Sequence, residues 1–555
     1  MTIATDLREQ AQAWIAADLD EQDKAEVAAL LADGSPEATT ELVSRFARPL
    51  RFGPDGLRGP AGAGPSRMNR ATVTAVSAAV ARWLLGREPG AAEAGVVLGC
   101  DAAHRSEDFT AQAARVLAGA GIRVHLMPSA QPAPFLAFAV RFFSAAAGIM
   151  IIAGHGPAAD SIYRVYAGDG APLMPPADTD IHALVTALGP LPEIATAPPD
   201  SPLIIRHGDQ AAQAYLDSIC ANGGRAPQSA AWLRFAYTPL HGSASALALR
   251  AFEQAGYAAP DVVAAPFADP AQPGALDLAI AQARRSACDL VLATDADGGR
   301  LAVAVPDPDA PGGYRQLTAD QLGALLGAFL LGTMAAEPGI MMSQQLVVST
   351  VVCGSLLSKI AAAAGAQHAR TLSGFQWVVR AADLRQDVRF AFGYAEELGF
   401  AVGGAVRDVD GIGAALAVLG LAAVARSVGE SLQDAYDALE VSHGVHLSSR
   451  LTVPTQAAID VMSRLRAAAP VELAGRPVIQ LTDYTGGSWE LPSADMISYQ
   501  LPEARVVIRP GSAEPEIEAY LEVVEHLAGR TLAVARQAAG LRMDRLRTAV
   551  GDLLG

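Results

Sequence analysis

The residues able to do chemistry stand in a handful of short, glycine-bearing segments. In LATDADGGRLAVAVP, beginning at Leu292, Asp295 and Asp297 take alternate positions of a polar turn and Arg300 follows them. Carboxylates so placed serve as turn formers. The run GHGPAADSIYRVY carries Gly154, His155, Asp160 and Arg164, and GYAEELGF carries the neighbours Glu396 and Glu397. Histidine and carboxylates are the groups that move protons near neutral pH, so His155, Asp160, Glu396 and Glu397 are candidates for that work. RPGSAEPEIE places Arg509 and Ser512 ahead of Glu514, Glu516 and Glu518. An anionic ligand requires a local basic cluster, because the chain as a whole has a net charge of −17.

Such residues need elements that hold them, and three segments repeat one grammar of apolar strand, polar turn, alanine-rich helix and closing glycine. They are GVVLGCDAAHRSEDFTAQAARVLAGAG ending near Gly121, LRFAYTPLHGSASALALRAFEQAG ending at Gly256, and LVVSTVVCGSLLSKIAAAAG ending at Gly365. Glycine is the expected stop, since the residue after a helix often takes a left-handed backbone. Spacings this long are no solenoid period and predict three duplicated α/β domains. The proline-rich stretch LGPLPEIATAPPDSPLIIRHGD, from Leu188, reads as a linker. PDPDAPGGYRQLTADQLGALLG marks a second boundary, with Thr318 or Asp320 available to cap the helix that follows. After about His443, VHLSSRLTVP, RVVIRP and AYLEVVEHLAGRTLAVARQAAG predict a smaller α+β domain. The predicted domains are 1–206, 207–318, 319–442 and 443–555.

Composition narrows the function classes. The chain has 555 residues, 51% of them hydrophobic, with mean hydropathy +0.24, but much of that excess is alanine. The longest apolar stretch, Gly411 to Ala425, falls short of the ~18–20 residues that cross a bilayer. No membrane partner is expected, and the acidic, helix-like start lacks the features of a signal peptide, which makes the cytoplasm the expected location. A pI near 5.0 argues against nucleic acid as a partner. Cys100, Cys220, Cys288 and Cys353 lie far apart, which predicts buried thiols rather than a zinc site or disulfides.

The segment FGPDGLRGPAGAGPSRMN, Phe52 to Asn69, resembles the entry motif of the α-D-phosphohexomutases, the phosphoglucomutase and phosphomannomutase family, close to F-G-T-A-G-L-R-G followed by G-P-x-R-M-N. YTPLHG at Tyr237 to Gly242, LATDADGGRLAVAVP, TLSGFQW from Thr371, FGYAEELGFAVGGAVRDVDG from Phe392 and RPGSAEPEIEAY from Arg509 resemble further landmarks, in order. The resemblance implies an α/β fold of three similar α/β domains plus a C-terminal α+β domain around a central cleft. It also implies magnesium, and a phosphoserine that exchanges its phosphoryl group with the two ends of a hexose phosphate.

Set against those motifs, the chemical groups depart while the backbone-shaping residues stay. T-A-S-H-N-P matches Ile152 to Pro157, so the serine position is Gly154, which has nothing to phosphorylate. Arg58 of the entry motif and His155 remain, and Arg164 stands where the family has lysine; arginine keeps the charge but accepts no proton at neutral pH. D-P-D-A-D-R matches Asp295 to Arg300, with Gly299 in place of the third carboxylate. In the sugar loop G-Y-E-E-A-L-G-Y, Ala395 replaces the first glutamate and Glu397 the small residue, while Glu396 is kept as a hydroxyl acceptor. In R-P-S-G-T-E-P-K-x-K, Arg509 and a displaced Ser512 remain, and Glu516 and Glu518 replace both lysines. Gln376 replaces a lysine in TLSGFQW, and Ala103 replaces an arginine.

The resemblance therefore assigns Gly154, His155, Arg58 and Arg164 to the degenerate catalytic position, Asp295 and Asp297 to the metal loop, and Arg300, Gln376, Glu396, Glu397, Arg509 and Ser512 to ligand binding. No cofactor is expected, with weak magnesium binding as the alternative. Three functions stay open: a non-catalytic relative that binds a sugar phosphate, nucleotide or protein partner; an enzyme repurposed for another reaction on a sugar or sugar nucleotide; and a mutase with a rerouted mechanism.

Overall fold

The computed structural model describes residues 5–53, 56–128, 130–154, 160–223, 232–267, 269–488, 491–511 and 515–555. Two compact units are present: Met1–Arg225 with Arg234–Leu301 and Ala405–Leu416, and Ala226–Leu233 with Ala302–Gly404 and Ala417–Gly555.

In the first unit a seven-stranded sheet runs in the order Phe52–Gly53, Gly56–Pro60, Asp160–Ala167, Ala147–Ala153, Val96–Cys100, Val124–Leu126, Ile204–Arg206. The first four are joined by antiparallel pairings and the rest by parallel ones. Val96–Cys100 is buried at every position, as a strand covered on both faces must be. Helices Arg70–Arg87 and Ser106–Gly119 share a core with one face of the sheet, through Val76, Val80, Phe109 and Leu117. Helix Ala133–Phe142 packs on the same strands through Leu136, close enough that a Cβ on Gly99 or Gly148 would meet it at 2.8 or 3.0 Å. Strands Asp261–Val262, Phe235–Thr238 and Leu290–Thr294 form a second, parallel set. Three N-terminal helices, Thr5–Ala17, Glu21–Asp33 and Pro36–Phe46, meet around Ala11, Val27 and Leu42.

The second unit holds a four-stranded sheet, Gln367–Thr371, Gln345–Thr350, Arg389–Ala395, Gly399–Val402, and a five-stranded antiparallel one, Val445–Pro454, Glu516–Glu525, Ala504–Pro510, Ile497–Leu501, Gln480–Asp483. Helix Leu532–Leu554 lays Met543, Leu546, Val550 and Leu554 on the latter, the α+β arrangement expected of the C-terminal part. Helix Ala319–Ala336 is long and apolar enough, by length and composition, to cross a membrane, and 50% of it is buried inside the protein. The expectation that no segment reaches that length considered unbroken apolar runs only, and this helix carries Asp320 in its first turn.

The repeated grammar is present three times: Val96–Cys100 to Ser106–Gly119, Phe235–Thr238 to Ser245–Ala255, and Gln345–Thr350 to Leu356–Ala363. The glycines that close them have φ of 84°, 91° and 71° at Gly121, Gly256 and Gly365. Thr318 caps helix Ala319–Ala336 in a reciprocal box with Gln321. Asp320 is instead half-buried, accepting from Tyr394 Oη, Gly354 N–H and the Ser448 hydroxyl. All four cysteines are buried and unbridged. The proline-rich stretch from Leu188 is not a free linker. Ala197 packs into the sheet core, Ile204–Arg206 adds the seventh strand, and a Cβ on Gly119 would lie 2.4 Å from the Ala195 carbonyl oxygen.

Candidate functional site

Strand Ala147–Ala153 delivers Gly154 at its end, where the backbone N–H donates to the Asp160 carbonyl at 2.7 Å. The hairpin partner, Asp160–Ala167, pairs with Gly56–Pro60 and so brings Arg58 alongside: Arg58 Nε donates to Asp160 Oδ2 at 2.9 Å. A Cβ added to Gly154 would stand 2.9 Å from Asp160 Cβ and 3.6 Å from both Nε and Nη2 of Arg58. Position 154 is therefore closely bounded by Asp160, with the Arg58 guanidinium alongside. His155 lies outside the described residues.

The turn after Leu290–Thr294 buries Asp295 and Asp297, at 1% and 3% exposure. Asp295 Oδ1 accepts the Arg300 N–H at 2.9 Å, while the Arg300 guanidinium pairs with Asp269 at 2.8 Å. Arg164, two strands into the larger sheet, reaches within 3.8 Å of Asp297. Position 299 is closed: a Cβ there would lie 2.7 Å from Val409 Cγ2. Val409 belongs to RDVDG, whose acidic residues sequence reasoning left without a role in the site. Asp408 is buried and accepts from Tyr166 Oη at 3.0 Å; burial raises its pKa, and the Arg164 charge pulls it back. Asp410 accepts from Tyr215 Oη at 2.9 Å and from the N–H groups of Ile412 and Gly413, capping helix Gly411–Ser427. Burial, with Asp408 nearby, pushes its pKa up to about 6. Asp101, held by the Ala153 and Ala103 N–H groups, is likewise shifted upward by burial. An acidic pair directly before an apolar helix was the available signal for Asp408 and Asp410.

In the second unit, Glu396 is the hub. Its carboxylate accepts from the hydroxyls of Thr350 and Ser373, each at 2.7 Å, and lies 3.4 Å from Arg509 Nη2. Arg509 also donates from Nε to Glu518 Oε2 at 2.8 Å and from Nη2 to Tyr520 Oη at 2.8 Å, with its guanidinium carbon 5.2 Å from the Tyr520 ring centroid. Burial opposes the arginine's charge, but Tyr520, Glu396 and Glu518 together raise its pKa above the ordinary value. Glu518 is itself buried, and Arg450 donates to its other oxygen. Gln376 sits in the one-turn helix Phe375–Val378, Glu397 is exposed beside Glu396, and Ser512 lies outside the described residues. Thr350, Ser373, Glu518, Tyr520 and Arg450 are thus built into this site, although only Glu518 was singled out by sequence, and as an opponent of anions rather than a partner of Arg509.

Among the described residues, no group of three or more His, Cys, Asp or Glu side chains converges as a metal cage. Asp295 and Asp297 nevertheless offer hard, buried oxygens, and magnesium ordinarily completes its six positions with water and phosphate, so this donor set fits the ion.

Family models described as phosphoglucomutase/phosphomannomutase α/β/α domains I, II and III match residues 49–190, 213–310 and 318–441. A protein of Haemophilus influenzae named probable phosphomannomutase is 31% identical over 82% of this chain and 93% of its own length. One of Schizosaccharomyces pombe named probable phosphoribomutase is 30% identical over 85% of this chain and 86% of its own. The crystal structure of a phosphoglucomutase/phosphomannomutase family protein from Burkholderia thailandensis superposes with TM-score 0.66, covering 90% of this chain and 97% of that one, at 16% identity. These matches overturn the expectation of no cofactor. The matched family consists of magnesium-dependent phosphohexomutases.

Proposed function

Because the chain belongs to the phosphoglucomutase/phosphomannomutase family, we propose that it is a sugar-phosphate-binding member of that family in which the phosphoserine relay is absent. One observation carries this reading: position 154 has no side chain, and a Cβ there would meet Asp160 Cβ at 2.9 Å, with the Arg58 guanidinium alongside at 3.6 Å. Covalent relay requires a nucleophile that accepts and returns the phosphoryl group, and glycine cannot.

The residues present can still bind. Arg58 and Arg164 supply fixed positive charge to an anion. Asp295 and Asp297 would hold magnesium, whose contribution when bound is positive charge beside a phosphate. Glu396, with part of its acceptor capacity engaged by Thr350, Ser373 and Arg509, has lone pairs left for a sugar hydroxyl. Arg509 is neutralised by Glu518 and Glu396, so within the second unit its environment favours an uncharged hydroxyl-bearing group over a phosphate dianion.

The test is incubation with glucose 1,6-bisphosphate and magnesium, followed by intact-mass measurement, in parallel with mutase assays on glucose and mannose phosphates and calorimetry with the same compounds. Binding without phosphorylated protein or turnover agrees with the reading. A phosphorylated chain, including an acid-labile phosphohistidine at His155, would sink it and favour the rerouted mutase instead.

A further inference from the structure

The three N-terminal helices, residues 5–46, precede the matched family domains, which begin at residue 49. Their polar side chains nevertheless hold two segments that lead to position 154. The first is the entry motif. Glu26 and Arg45, paired at 2.7 Å, take both sides of one residue of it: the Ala63 N–H donates to Glu26 Oε2 at 3.3 Å, and Arg45 Nη1 donates to the Ala63 carbonyl at 3.1 Å. Ala63 lies just beyond strand Gly56–Pro60, which carries Arg58. The second is the turn between strand Val96–Cys100 and helix Ser106–Gly119, where Arg105 is held. Its guanidinium donates to Asp23 Oδ1 and Oδ2 at 2.8 and 3.1 Å and to Asp20 Oδ2 at 3.2 Å. The pair is buried, with the Arg105 side chain 11% exposed and that of Asp23 1%. Asp20 also stands 3.4 Å from Arg70, which pairs with Asp108 in the first turn of the same helix.

The backbone of Arg105 has a φ of 66°, in the left-handed region that residues with a Cβ avoid. Such a conformation persists where its surroundings over-determine it, and glycine or asparagine would adopt it more readily. Turn geometry therefore does not call for arginine here, and the buried ion pair does. What the turn delivers is Asp101, itself buried: Oδ1 accepts the Ala103 N–H at 3.0 Å and Oδ2 accepts the Ala153 N–H at 2.7 Å. Ala153 directly precedes Gly154, beside Arg58. A line of bonds thus runs from Asp23 through Arg105 and its turn to the end of the strand that bears position 154. We propose that Arg105 is a positioning residue, through which the N-terminal helices fix Asp101 and with it the backbone of Ala153 and Gly154 beside Arg58. Its effect on ligand affinity rests on the function proposed above; its effect on the backbone does not.

The test is backbone hydrogen exchange of the full chain, read residue by residue by mass spectrometry, with calorimetry on glucose 1-phosphate in parallel. Arg105→Asn suits the left-handed turn but removes the ion pair. It should speed exchange of the Ala153 N–H about tenfold or more while leaving Val97 and Leu98, inside the neighbouring strand, unchanged. Asp23→Asn breaks the same pair from the helical side and should act alike, so that the double variant exchanges no faster than either single one. Arg105→Lys, which keeps a charge for Asp23, should recover part of the protection. Where the parent chain binds glucose 1-phosphate, the two asparagine variants should bind it about fivefold or more weakly. Three outcomes overturn the proposal: Ala153 exchange unchanged in both single variants, acceleration shared equally by Val97 and Leu98, or additive effects of the two substitutions. A parent chain that binds no glucose 1-phosphate would count against the sugar-phosphate function alone, and the exchange of Ala153 would still decide the role of Arg105.

Discussion

Arg509 Nε and Glu518 Oε2 are 2.8 Å apart, and the glutamate is thereby the arginine's buried counter-ion rather than a bystander. Arg450 holds the other oxygen of the same carboxylate, and Tyr520 Oη bonds it as well. Substituting one member of a buried pair leaves its partners' charge uncompensated, typically at about 3–5 kcal/mol. Glu518→Lys should therefore lower stability by that order in urea denaturation, with Glu518→Gln losing less. A lysine variant as stable as the parent, with anion binding gained, would show that Arg509 and Arg450 are free to take a ligand.

Gly154→Ser alone should leave mutase activity near background. The new Cβ meets Asp160 Cβ at 2.9 Å, an atom fixed to the backbone, so strand ends must shift before the hydroxyl can be placed under Arg58. Phosphoryl transfer depends mainly on positioning and charge stabilisation, and each ~1.4 kcal/mol of misplacement is tenfold in rate. The comparison is a combined Gly154→Ser, Gln376→Lys, Glu516→Lys variant assayed on glucose 1-phosphate. Equal turnover by the single and combined variants would mean that the other departures are tolerated.

Gly299→Asp should destabilise the first unit, and Val409→Ala should relieve most of that loss. The contact responsible is the 2.7 Å approach between a Cβ at position 299 and Val409 Cγ2. Overpacking of this sort costs about 1–3 kcal/mol, and residues in contact show non-additive effects. A double-mutant cycle by thermal denaturation reads the coupling directly; additive effects would place the strain elsewhere.

Asp410→Asn should raise stability at neutral pH and flatten its pH dependence. The folded pKa is raised from an ordinary 3.8 to about 6, so the folded state binds the proton more tightly and loses stability as pH rises through that interval. Asparagine keeps an acceptor for Tyr215, Ile412 and Gly413 without the buried charge. Urea midpoints at pH 4 and pH 7 decide it. A wild-type chain no less stable at pH 7 than at pH 4, relative to the asparagine variant, would show that Asp410 is not held protonated.

The sequence by itself determined the local grammar and the absences. Strand–turn–helix units closing at Gly121, Gly256 and Gly365 follow from apolar patterning and the backbone freedom of glycine, both of which act within a few residues. The Thr318 cap is equally local. That position 154 carries no nucleophile is likewise a property of one residue. Tertiary structure alone decided what surrounds those positions. Val409 against Gly299, Arg58 over Gly154, Glu518 as the counter-ion of Arg450 and the proline-rich stretch as an edge strand all depend on segments far apart in the chain. The physical reason is that a charge or a gap takes its meaning from burial and from its partners. In water Glu518 repels an anion; buried between Arg450 and Arg509 it holds two cations in place.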